Sequence, residues 1–380
     1  MISISFSEVT TKGGNRRLFE NMLIRNALAS LAPLGSFKAQ RRGGRVLLSS
    51  EKEHDADAVK SALTKTFGID AITISIPAKP DIKEIETAVL AHSSDLVGHS
   101  IRVEAKRSDK MFSLTSQQIN ETIGAALVNA GCTVDLENPE RTIFINILPQ
   151  EALISFERIR GPGGLPVGSG GKMISLLSGG IDSPVSSWMM MKRGCEVDFL
   201  HLHQFPDNKD VRNSKMMRIL QKLREYSPKK LRLFAVPYNE FYKKTLTMEP
   251  RNELVVFRRF IMHLANELAK EHGYQGIITG DSIGQVASQT AENLLATNEA
   301  SQLPVYRPLI GFNKQEIVDL AMKIGTFEVS IESYKDCCSL VAHKSPCTRV
   351  PLKVAKRMEE EMGIEEVVKK TLKQIEIMEI

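Results

Sequence analysis

A glycine-rich hexapeptide, Ser178-Gly179-Gly180-Ile181-Asp182-Ser183, follows a short apolar run and precedes a predicted helix. Glycines allow a tight turn that exposes backbone N–H groups, and the dipole of the following helix favours an anion at its N-terminus. The hydroxyls of Ser178 and Ser183 can donate to the same anion. No Gly-Lys-Ser/Thr sequence follows, so this is not a Walker A loop. The pattern predicts a phosphate-binding loop; the alternative is an ordinary glycine-rich turn.

Three of the five cysteines, Cys337, Cys338 and Cys347, lie within eleven residues. The thiolate is the nucleophilic form of cysteine, and the lysines and arginine of this segment can lower a thiol pKa. Two alternatives involve a metal: a zinc site formed by Cys338, His343 and Cys347, or an iron–sulfur cluster held by the three cysteines. Zinc is disfavoured because the usual pair of cysteines two to four residues apart is absent, and adjacent cysteines chelate one tetrahedral ion poorly.

Strands and helices alternate beyond residue 172. The predicted strands are MISLLS, CEVDFLHLHQ, LRLFAVPY and GIITGD, and the helices between them include one over residues 252–272. This alternation is typical of a parallel doubly wound sheet, an α/β fold. In such sheets, ligands bind beyond the carboxyl ends of the strands near the topological switch point. The hexapeptide occupies that position.

The residues before 161 predict two smaller α+β units. The first has the strands ISISFSEV, RVLLSS and AITISIP, with helices over 15–31 and 55–66. The second begins with the helix IKEIETAVLAHS, the strand SIRVEAKRSD and a helix over 116–131. It continues with the strands CTVDLEN and RTIFINILP, and ALISFERIR closes it. The segment GPGGLPVGSGGK, with six glycines and two prolines, is interpreted as a linker or binding loop.

Cations cluster in two places, although the net charge is only +5. Nine Lys or Arg lie between Lys209 and Arg232 against two acidic residues, and a second cluster contains Lys38, Arg41, Arg42 and Arg45. Such clusters indicate a polyanion partner, because neutralised phosphates release condensed counterions. The alternative is a solubilising helix face.

Composition excludes several classes of protein. With 42% hydrophobic and 25% charged residues, the chain is neither a disordered nor a collagen-like sequence. No apolar run approaches the roughly 20 residues that cross a bilayer, and the N-terminus does not read as a secretory signal. We therefore expect a cytoplasmic protein with no membrane partner and with reduced thiols. Cys132 and Cys195, which follow glycines and precede predicted strands, are interpreted as buried structural thiols.

Several of these motifs resemble one family in the family's order. The hexapeptide matches SGGxDS of the ATP pyrophosphatase (PP-loop) superfamily, and GDSIGQVASQT, RPLIGFNKQEI and GPGGLPVGSGGK resemble segments of tRNA 4-thiouridine synthetases. IRVEAKRSDKMFSLTSQQINETIGAALV, followed by VDLENPERTIFINI, is similar to the THUMP RNA-binding domain. KGGNRRLFE resembles the family's ferredoxin-like N-terminal domain. The resemblance implies three domains: ferredoxin-like over 1–77, THUMP over 78–165 and a Rossmann-like PP-loop domain over 166–380.

The resemblance also implies an activity and its residues. The family adenylates uridine 8 of tRNA with ATP and Mg²⁺, then replaces the activated oxygen with sulfur from a persulfide. Asp182 would help hold magnesium, and Lys314 would support adenylation. Cys337 aligns best with the family's sulfur-transfer cysteine, Cys338 is its neighbouring alternative, and Cys347 is a candidate resolving thiol. The implied nucleotide contacts are Leu176, Leu177, Ser178, Gly179, Gly180, Ser183, His201, Leu202, Arg258, Gly280 and Gln289.

Two of these contacts have other interpretations: His201 as a hydrogen-bonded sheet histidine, and Arg258 as a surface cation. Some family members append a rhodanese-like domain, whereas this sequence ends after a predicted helical stretch over 352–380. We therefore expect the persulfide from a separate cysteine desulfurase or another donor. The resemblance further suggests a homodimer and a link to sulfur supply for thiamine.

Two other functions remain open at this stage. One is an RNA-binding protein with an inactive ATP domain. The other is a PP-loop ligase that acts on a small molecule. Pyrophosphate release that tRNA stimulates distinguishes the sulfurtransferase from both, because a binding protein releases none and a small-molecule ligase is indifferent to tRNA.

Overall fold

The computed structural model describes residues 1–42, 44–52, 54–108, 111–245, 248–334, 337, 341 and 346–380. The chain divides into two compact units, Met1–Pro166 and Val167–Ile380. Among the described residues, no helix combines the length and apolar character that crossing a membrane requires.

The first unit forms two five-stranded sheets within its described residues. Its strands are β1 (Ile2–Ser5), β2 (Lys38–Arg42), β3 (Arg45–Ser49), β4 (Ala71–Ile74), β5 (Ile76–Ala78), β6 (Ser100–Arg107), β7 (Thr133–Val134), β8 (Arg141–Ile147), β9 (Ala152–Ser155) and β10 (Ile159–Arg160). Its α-helices are α1 (Arg16–Leu31), α2 (Ala56–Leu63), α3 (Ile82–Leu90) and α4 (Ser116–Asn129).

After the last strand of the second sheet, the chain returns to the first sheet and adds strand β10 to it. The first sheet has the order β10-β4-β1-β3-β2 and the second β5-β9-β8-β6-β7. The prediction of ALISFERIR as one strand is therefore wrong: β9 ends at Ser155, and β10 pairs antiparallel with β4 in the first sheet. The Ser155 hydroxyl donates to the carbonyl of Glu157 at 2.7 Å, a local bond that competes with a continuous ladder. Strand β2 was not predicted because its polar sequence, KAQRR, shows no apolar alternation.

The second unit contains the alternating elements. Its strands are β11 (Lys172–Leu176), β12 (Glu196–His203), β13 (Arg232–Pro237), β14 (Ile277–Ile278), β15 (Val305–Tyr306) and β16 (Glu376–Glu379). Its helices are α5 (Asp182–Lys192), α6 (Lys209–Arg212), α7 (Lys215–Arg224), α8 (Asn239–Thr245), α9 (Glu253–His272), α10 (Ala291–Glu299), α11 (Lys314–Lys323) and α12 (Phe327–Ser330), followed by helices over Leu352–Met362 and Ile364–Leu372.

The sheet of this unit has the order β15-β14-β11-β12-β13-β16. Its first five strands are parallel, which confirms the predicted α/β architecture. The chain builds outward from β11 to β12 and β13, then crosses to β14 on the other side of β11. The switch point therefore lies between β11 and β14, and the loops after these two strands face each other. This is the edge at which ligands bind in such sheets.

The end of the chain differs from the prediction of one helical stretch over 352–380. Gly363, with φ of +68°, separates two helices, because this left-handed conformation favours glycine. Strand β16 then pairs antiparallel with β13, and Met378, opposite Leu233, is buried. The final residues thus complete the sheet instead of extending a helix.

Most cations of both clusters form ion pairs, and all but one of the acidic partners lie outside the cluster in the sequence. Lys215 is nearly buried, and its ammonium donates to the carbonyls of Ser330 and Glu332 at 2.8 and 2.7 Å. The ion pairs are Lys38 with Glu51, Arg41 with Glu20, Arg42 with Glu151, Arg212 with Glu376, Arg218 with Glu332, Lys222 with Glu225, Lys229 with Glu196, Lys230 with Glu379 and Arg232 with Asp198. The number of Lys and Arg residues in the two clusters is therefore larger than the number of unpaired cations that could bind a polyanion.

A buried charge network holds α9 in place. The Arg259 side chain is 2% exposed and donates to Glu359 at 2.6 Å and to Glu299 at 3.0 Å. His263 lies 3.0 Å from the other carboxylate oxygen of Glu359. Burial favours a higher pKa for Glu359, but His263 and Arg259 hold that pKa below its ordinary value. These contacts tie α9 to α10 and to the helix Leu352–Met362, and thereby fix the helix that carries Arg258.

Replacing Arg259 tests this network. Arg259→Met leaves the Glu359 carboxylate buried without its cation, which should lower the free energy of unfolding of the second unit by about 3 kcal/mol or more. Denaturant unfolding at pH 7 measures the change. Arg357→Met is the matched control, because Arg357 forms an exposed pair with Glu361 and its loss should cost less than about 1 kcal/mol. Equal effects of the two substitutions would contradict a stabilising role for the buried network.

Candidate active site

A cavity of about 360 Å³ lies at the carboxyl ends of β11, β12 and β14. Its apolar wall includes Leu254, Phe257, Ile261 and Met262, which α9 contributes. Most of the sequence-predicted site residues line it: Leu176, Leu177, Ser178, Asp182, Ser183, Leu202, Arg258, Gly280, Gln289 and Cys337. Residues from five separate stretches of sequence thus converge on one pocket with an apolar side and a polar side, as ligand sites commonly do.

The two serines of the hexapeptide hold the loop closed. Ser183 Oγ accepts from the Ser178 backbone N–H at 3.0 Å and lies 3.1 Å from Ser178 Oγ. Ser178 Oγ in turn accepts from the Gly180 N–H at 3.3 Å. Helix α5 begins at Asp182, and its N-cap residue, Ile181, provides no side-chain cap. The N-terminus of α5 therefore lacks a side-chain acceptor of its own and suits an anion that a ligand supplies.

At Gly179 and Gly280, neighbouring atoms lie too close for a side chain, and this explains why glycine occupies both positions. Neither Gly179 nor Gly180 has a positive φ, so the backbone conformation of the loop does not by itself require glycine at these positions. A Cβ on Gly179 would lie 2.6 Å from the ring of Tyr334. A Cβ on Gly280 would lie 2.8 Å from the backbone nitrogen of Ser183. The loop after β14 therefore contacts the first turn of α5 so closely that only glycine fits at position 280.

Asp182 and Lys314, predicted from separate motifs, form an ion pair. Lys314 Nζ lies 2.6 Å from Asp182 Oδ1, and the lysine side chain is half-exposed. Each is the first residue of its helix, α5 for Asp182 and α11 for Lys314. Asn313 and Glu316 form a reciprocal capping box that fixes the start of α11. The pair therefore stands at two helix N-termini beside the cavity.

The sequence analysis did not identify Asp281, although it contacts four side chains of the site. Asp281 is 3% exposed and lines the cavity. Its carboxylate pairs with Arg258, lies 3.2 Å from Arg307 Nε and accepts from the Thr279 hydroxyl at 2.7 Å. Burial favours a higher pKa for Asp281, but the two arginines and Thr279 together hold that pKa below its ordinary value. Arg258 is thus a cavity residue and not a free surface cation.

Gln289 carries an unused acceptor in this cavity. Its side-chain N–H group lies 3.4 Å from Asp281 Oδ1, whereas its buried Oε1 has no hydrogen-bond partner among the described residues. Leaving a buried carbonyl unpaired costs about 1–3 kcal/mol, and such atoms often mark the place of a ligand. A ligand that carries a hydrogen-bond donor therefore fits this part of the cavity.

His201 is buried beneath the site and does not line the cavity. Its Nδ1 lies 2.9 Å from the carbonyl of Leu177, which can only accept, so Nδ1 carries the proton. Its Nε2 lies 2.8 Å from the hydroxyl of Tyr334. Both ring nitrogens thus bond to protein groups, which fits the alternative interpretation of a hydrogen-bonded sheet histidine. Through Leu177 the ring supports the backbone that leads into the hexapeptide.

The cysteines occupy three kinds of surroundings. Cys337 is 1% exposed and lines the cavity, while Cys338 and His343 lie outside the described residues. Cys347 is partly exposed. Cys132 and Cys195 are buried, as predicted, and burial raises the pKa of the Cys195 thiol to about 11. Among the cysteines that the structure describes, Cys337 is the one that lines the pocket.

The depressed pKa of Asp281 predicts a specific pH dependence. Because the folded-state pKa lies below the ordinary value of 3.8, the ion pairs stabilise the fold above pH 3.8 and this stability is lost as the pH falls further. Asp281→Asn should therefore lower the thermal midpoint strongly at pH 7, and the difference from the wild type should shrink in acid. Thermal unfolding from about pH 2 to about pH 7 measures this, because the loss occurs below the unfolded-state pKa. Glu366→Gln, which breaks an exposed pair with Lys370, should leave the midpoint almost unchanged; a pH-independent effect of Asp281→Asn would contradict the assignment.

Comparisons with known proteins cover the whole chain. Three family descriptions match: the ThiI ferredoxin-like domain over 1–73, the THUMP domain over 79–157 and thiamine biosynthesis protein (ThiI) over 168–364. A crystal structure of a 4-thiouridine synthetase–RNA complex with bound ATP is similar to this chain with a TM-score of 0.88 and 32% identity. The similarity covers 100% of this chain and 99% of that one.

Curated relatives agree with this result. The chain is 37% identical to a probable tRNA sulfurtransferase of Caldanaerobacter subterraneus subsp. tengcongensis, across 97% of each chain. It is also 37% identical to a probable tRNA sulfurtransferase of Thermus thermophilus, across 98% of this chain and 92% of the relative. The chain therefore belongs to the ThiI family of tRNA sulfurtransferases.

Proposed function

We propose that this protein binds ATP and tRNA, adenylates uridine 8 and replaces the activated oxygen with sulfur to give 4-thiouridine. The observation that carries the proposal is the placement of Ser178, Asp182, Ser183 and Cys337 around one cavity. An activating site and a sulfur nucleophile are the two components that this chemistry needs. The similar 4-thiouridine synthetase, whose crystal structure holds RNA and ATP, supports both ligands.

ATP fits the chemistry of the cavity. The apolar wall suits a purine ring, the unpaired Gln289 Oε1 suits a donor of the nucleoside, and the uncapped N-terminus of α5 suits phosphate. Arg258 is held by Asp281 and by the carbonyl of Ser288 at 3.1 Å, so its position is fixed before a ligand binds. The predicted contacts at residues 176–178 and 202 line the same cavity.

The donor set also fits Mg²⁺. This ion usually binds through one or two carboxylates together with substrate phosphates and waters. Asp182 supplies one carboxylate, and the described residues contain no cluster of three His, Cys, Asp or Glu side chains that would form an all-protein cage. When bound, Mg²⁺ would neutralise charge on the phosphates. Lys314, half-exposed beside Asp182, would turn from the carboxylate to the phosphates and stabilise the charge that develops there.

In the first step, uracil O4 attacks the α-phosphorus of ATP. The bond from O4 to phosphorus forms as the bond to pyrophosphate breaks, and the proton on uracil N3 is lost as N3 becomes double-bonded to C4. AMP is then a leaving group attached to C4. The hexapeptide backbone and the N-terminus of α5 would hold the departing pyrophosphate.

In the second step, a persulfide on Cys337 attacks C4, and the bond between C4 and oxygen breaks to release AMP. The terminal sulfur is then bonded to both C4 and the Cys337 sulfur. A second thiolate attacks the Cys337 sulfur, so 4-thiouridine leaves and a disulfide forms. Cys347 is the proposed resolving thiol, and an external thiol reductant resets the disulfide. A separate cysteine desulfurase, or another donor, supplies the persulfide.

The first unit is the proposed tRNA-binding part. Its matches to ferredoxin-like and THUMP domains support boundaries at 1–77 and 78–165, with the catalytic domain over 166–380. Proteins that bind folded RNA commonly recognise shape through phosphates and 2′-hydroxyls, and a target base is extruded for chemistry. Homodimerisation and a contribution to thiamine sulfur supply are further expectations from the family.

The two steps are separable by substitution. Cys337→Ser should retain tRNA-stimulated pyrophosphate release and lose 4-thiouridine formation, because activation does not use the thiol. Lys314→Met should lower tRNA-stimulated pyrophosphate release by about 100-fold or more, since it removes a cation from the developing charge. Pyrophosphate assays and nucleoside mass spectrometry measure the two products.

Lys323→Met is the matched control, because Lys323 is an exposed residue of the same helix as Lys314 and should behave like the wild type. If Cys337→Ser still forms 4-thiouridine at the wild-type rate, the sulfur-transfer assignment is wrong. If pyrophosphate release by the wild type does not respond to tRNA, a ligase that acts on a small molecule explains the site better.

A further inference from the structure

Asp182 has a second contact that the sequence analysis did not identify. Gln285 Nε2 donates to Asp182 Oδ2 at 2.8 Å, while Lys314 holds Oδ1 at 2.6 Å. The two carboxylate oxygens therefore bond to different partners, one neutral and one charged. Gln285 lies on the loop after β14, and Lys314 lies on α11, so the carboxylate is held from two sides.

The orientation of the Gln285 amide follows from this contact. Its buried Oε1 has no hydrogen-bond partner among the described residues, so the bond to Asp182 is the one that the side chain makes there. If the amide were flipped, Oε1 would face a carboxylate oxygen. This arrangement is unfavourable because both atoms are hydrogen-bond acceptors. The N–H group must therefore face Asp182.

The backbone of the loop keeps Gln285 in position. The Gly284 N–H donates to the Gln289 carbonyl at 2.9 Å, and the Ser282 hydroxyl donates to the Phe312 carbonyl at 2.8 Å. Ile283 N–H also donates to the Ile310 carbonyl at 3.1 Å. The three residues directly before Gln285 are thus each hydrogen-bonded to another part of the unit, so the amide extends from a braced segment.

A neutral hydrogen-bond donor can orient the Asp182 carboxylate without neutralising its charge, which a cation cannot do. An ammonium or guanidinium would orient Asp182 but would also cancel the negative charge that a hard cation requires. An amide N–H orients the carboxylate and leaves its charge in place. Once Lys314 turns to the phosphates, Gln285 is the contact that remains on Asp182 among those described.

We propose that Gln285 is the positioning residue for Asp182 and holds its carboxylate in the orientation that receives Mg²⁺ together with ATP. The inference rests on the proposed function, because it assigns Asp182 to that ion. Partners that hydrogen-bond a metal-binding side chain typically change metal affinity by about 10–100-fold when they are removed. Gln285 should therefore set the Mg²⁺ dependence of nucleotide binding and have no effect on binding without the ion.

The experiment measures binding of α,β-methylene-ATP to the full chain by calorimetry across a series of Mg²⁺ concentrations and in EDTA. Gln285→Leu, similar in size but without a donor, should raise the Mg²⁺ concentration for half-maximal binding about tenfold or more. Its affinity in EDTA should equal that of the wild type, which also shows that the pocket is folded. In an Asp182→Asn background, adding Gln285→Leu should change nothing further, because the two residues act through one contact.

Gln117→Leu is the matched control: Gln117 donates to Glu121 at 2.9 Å on an exposed helix face of the first unit, and its loss should not alter the Mg²⁺ dependence. Two results overturn the role of Gln285 alone: an unchanged Mg²⁺ dependence in Gln285→Leu, or an equal effect of that substitution in the Asp182→Asn background. If the wild type binds the analogue with no response to Mg²⁺, both this inference and the assignment of Asp182 fail.

Discussion

The close approach of Gly280 to the first turn of α5 is the constraint on which the site depends. Because β11 and β14 are neighbouring parallel strands, their following loops meet at the switch point, and the absence of a side chain at Gly280 lets them touch. This contact brings the loop that carries Asp281, Gln285 and Gln289 against the loop that carries Asp182. A Cβ at position 280 would require the backbone of one loop to move, and every contact between the two loops would move with it.

Around that contact, the buried ion pairs of Asp281 hold the side chains of the site in fixed positions. The more exposed ion pair between Asp182 and Lys314 can rearrange when a ligand binds. Asp281 is enclosed by two arginines and fixes Arg258 and Gln289 before any nucleotide binds. The Asp182–Lys314 pair is more exposed, and the lysine can leave the carboxylate at lower cost. Such a division suits a site that must hold one substrate precisely in place while charge redistributes along a phosphate chain.

The sequence predicted those features that depend on local pattern. The alternation of strands and helices predicted the parallel sheet, and the hexapeptide after β11 predicted a site where Ser178, Asp182 and Ser183 line the cavity. It did not predict Asp281 or Gln285, because each matters through partners at residues 258, 307 and 182 that only the fold brings near. It also overstated the free charge of the segment 209–232, since most of the acids that pair with its cations lie in other strands and loops. The break at Gly363 and the return of β16 to the sheet are likewise decided by packing against β13.

The central claim is that one cavity activates a uridine with ATP and then delivers sulfur to it. Nucleoside mass spectrometry on unmodified tRNA, incubated with the protein, Mg-ATP and a persulfide source, tests this most directly, with Asp182→Ala as the comparison. The account predicts 4-thiouridine at position 8 with the wild type and ATP, and none with Asp182→Ala or without ATP. A protein that binds tRNA and cleaves ATP yet forms no 4-thiouridine, or forms it equally well with Asp182→Ala, would contradict the account.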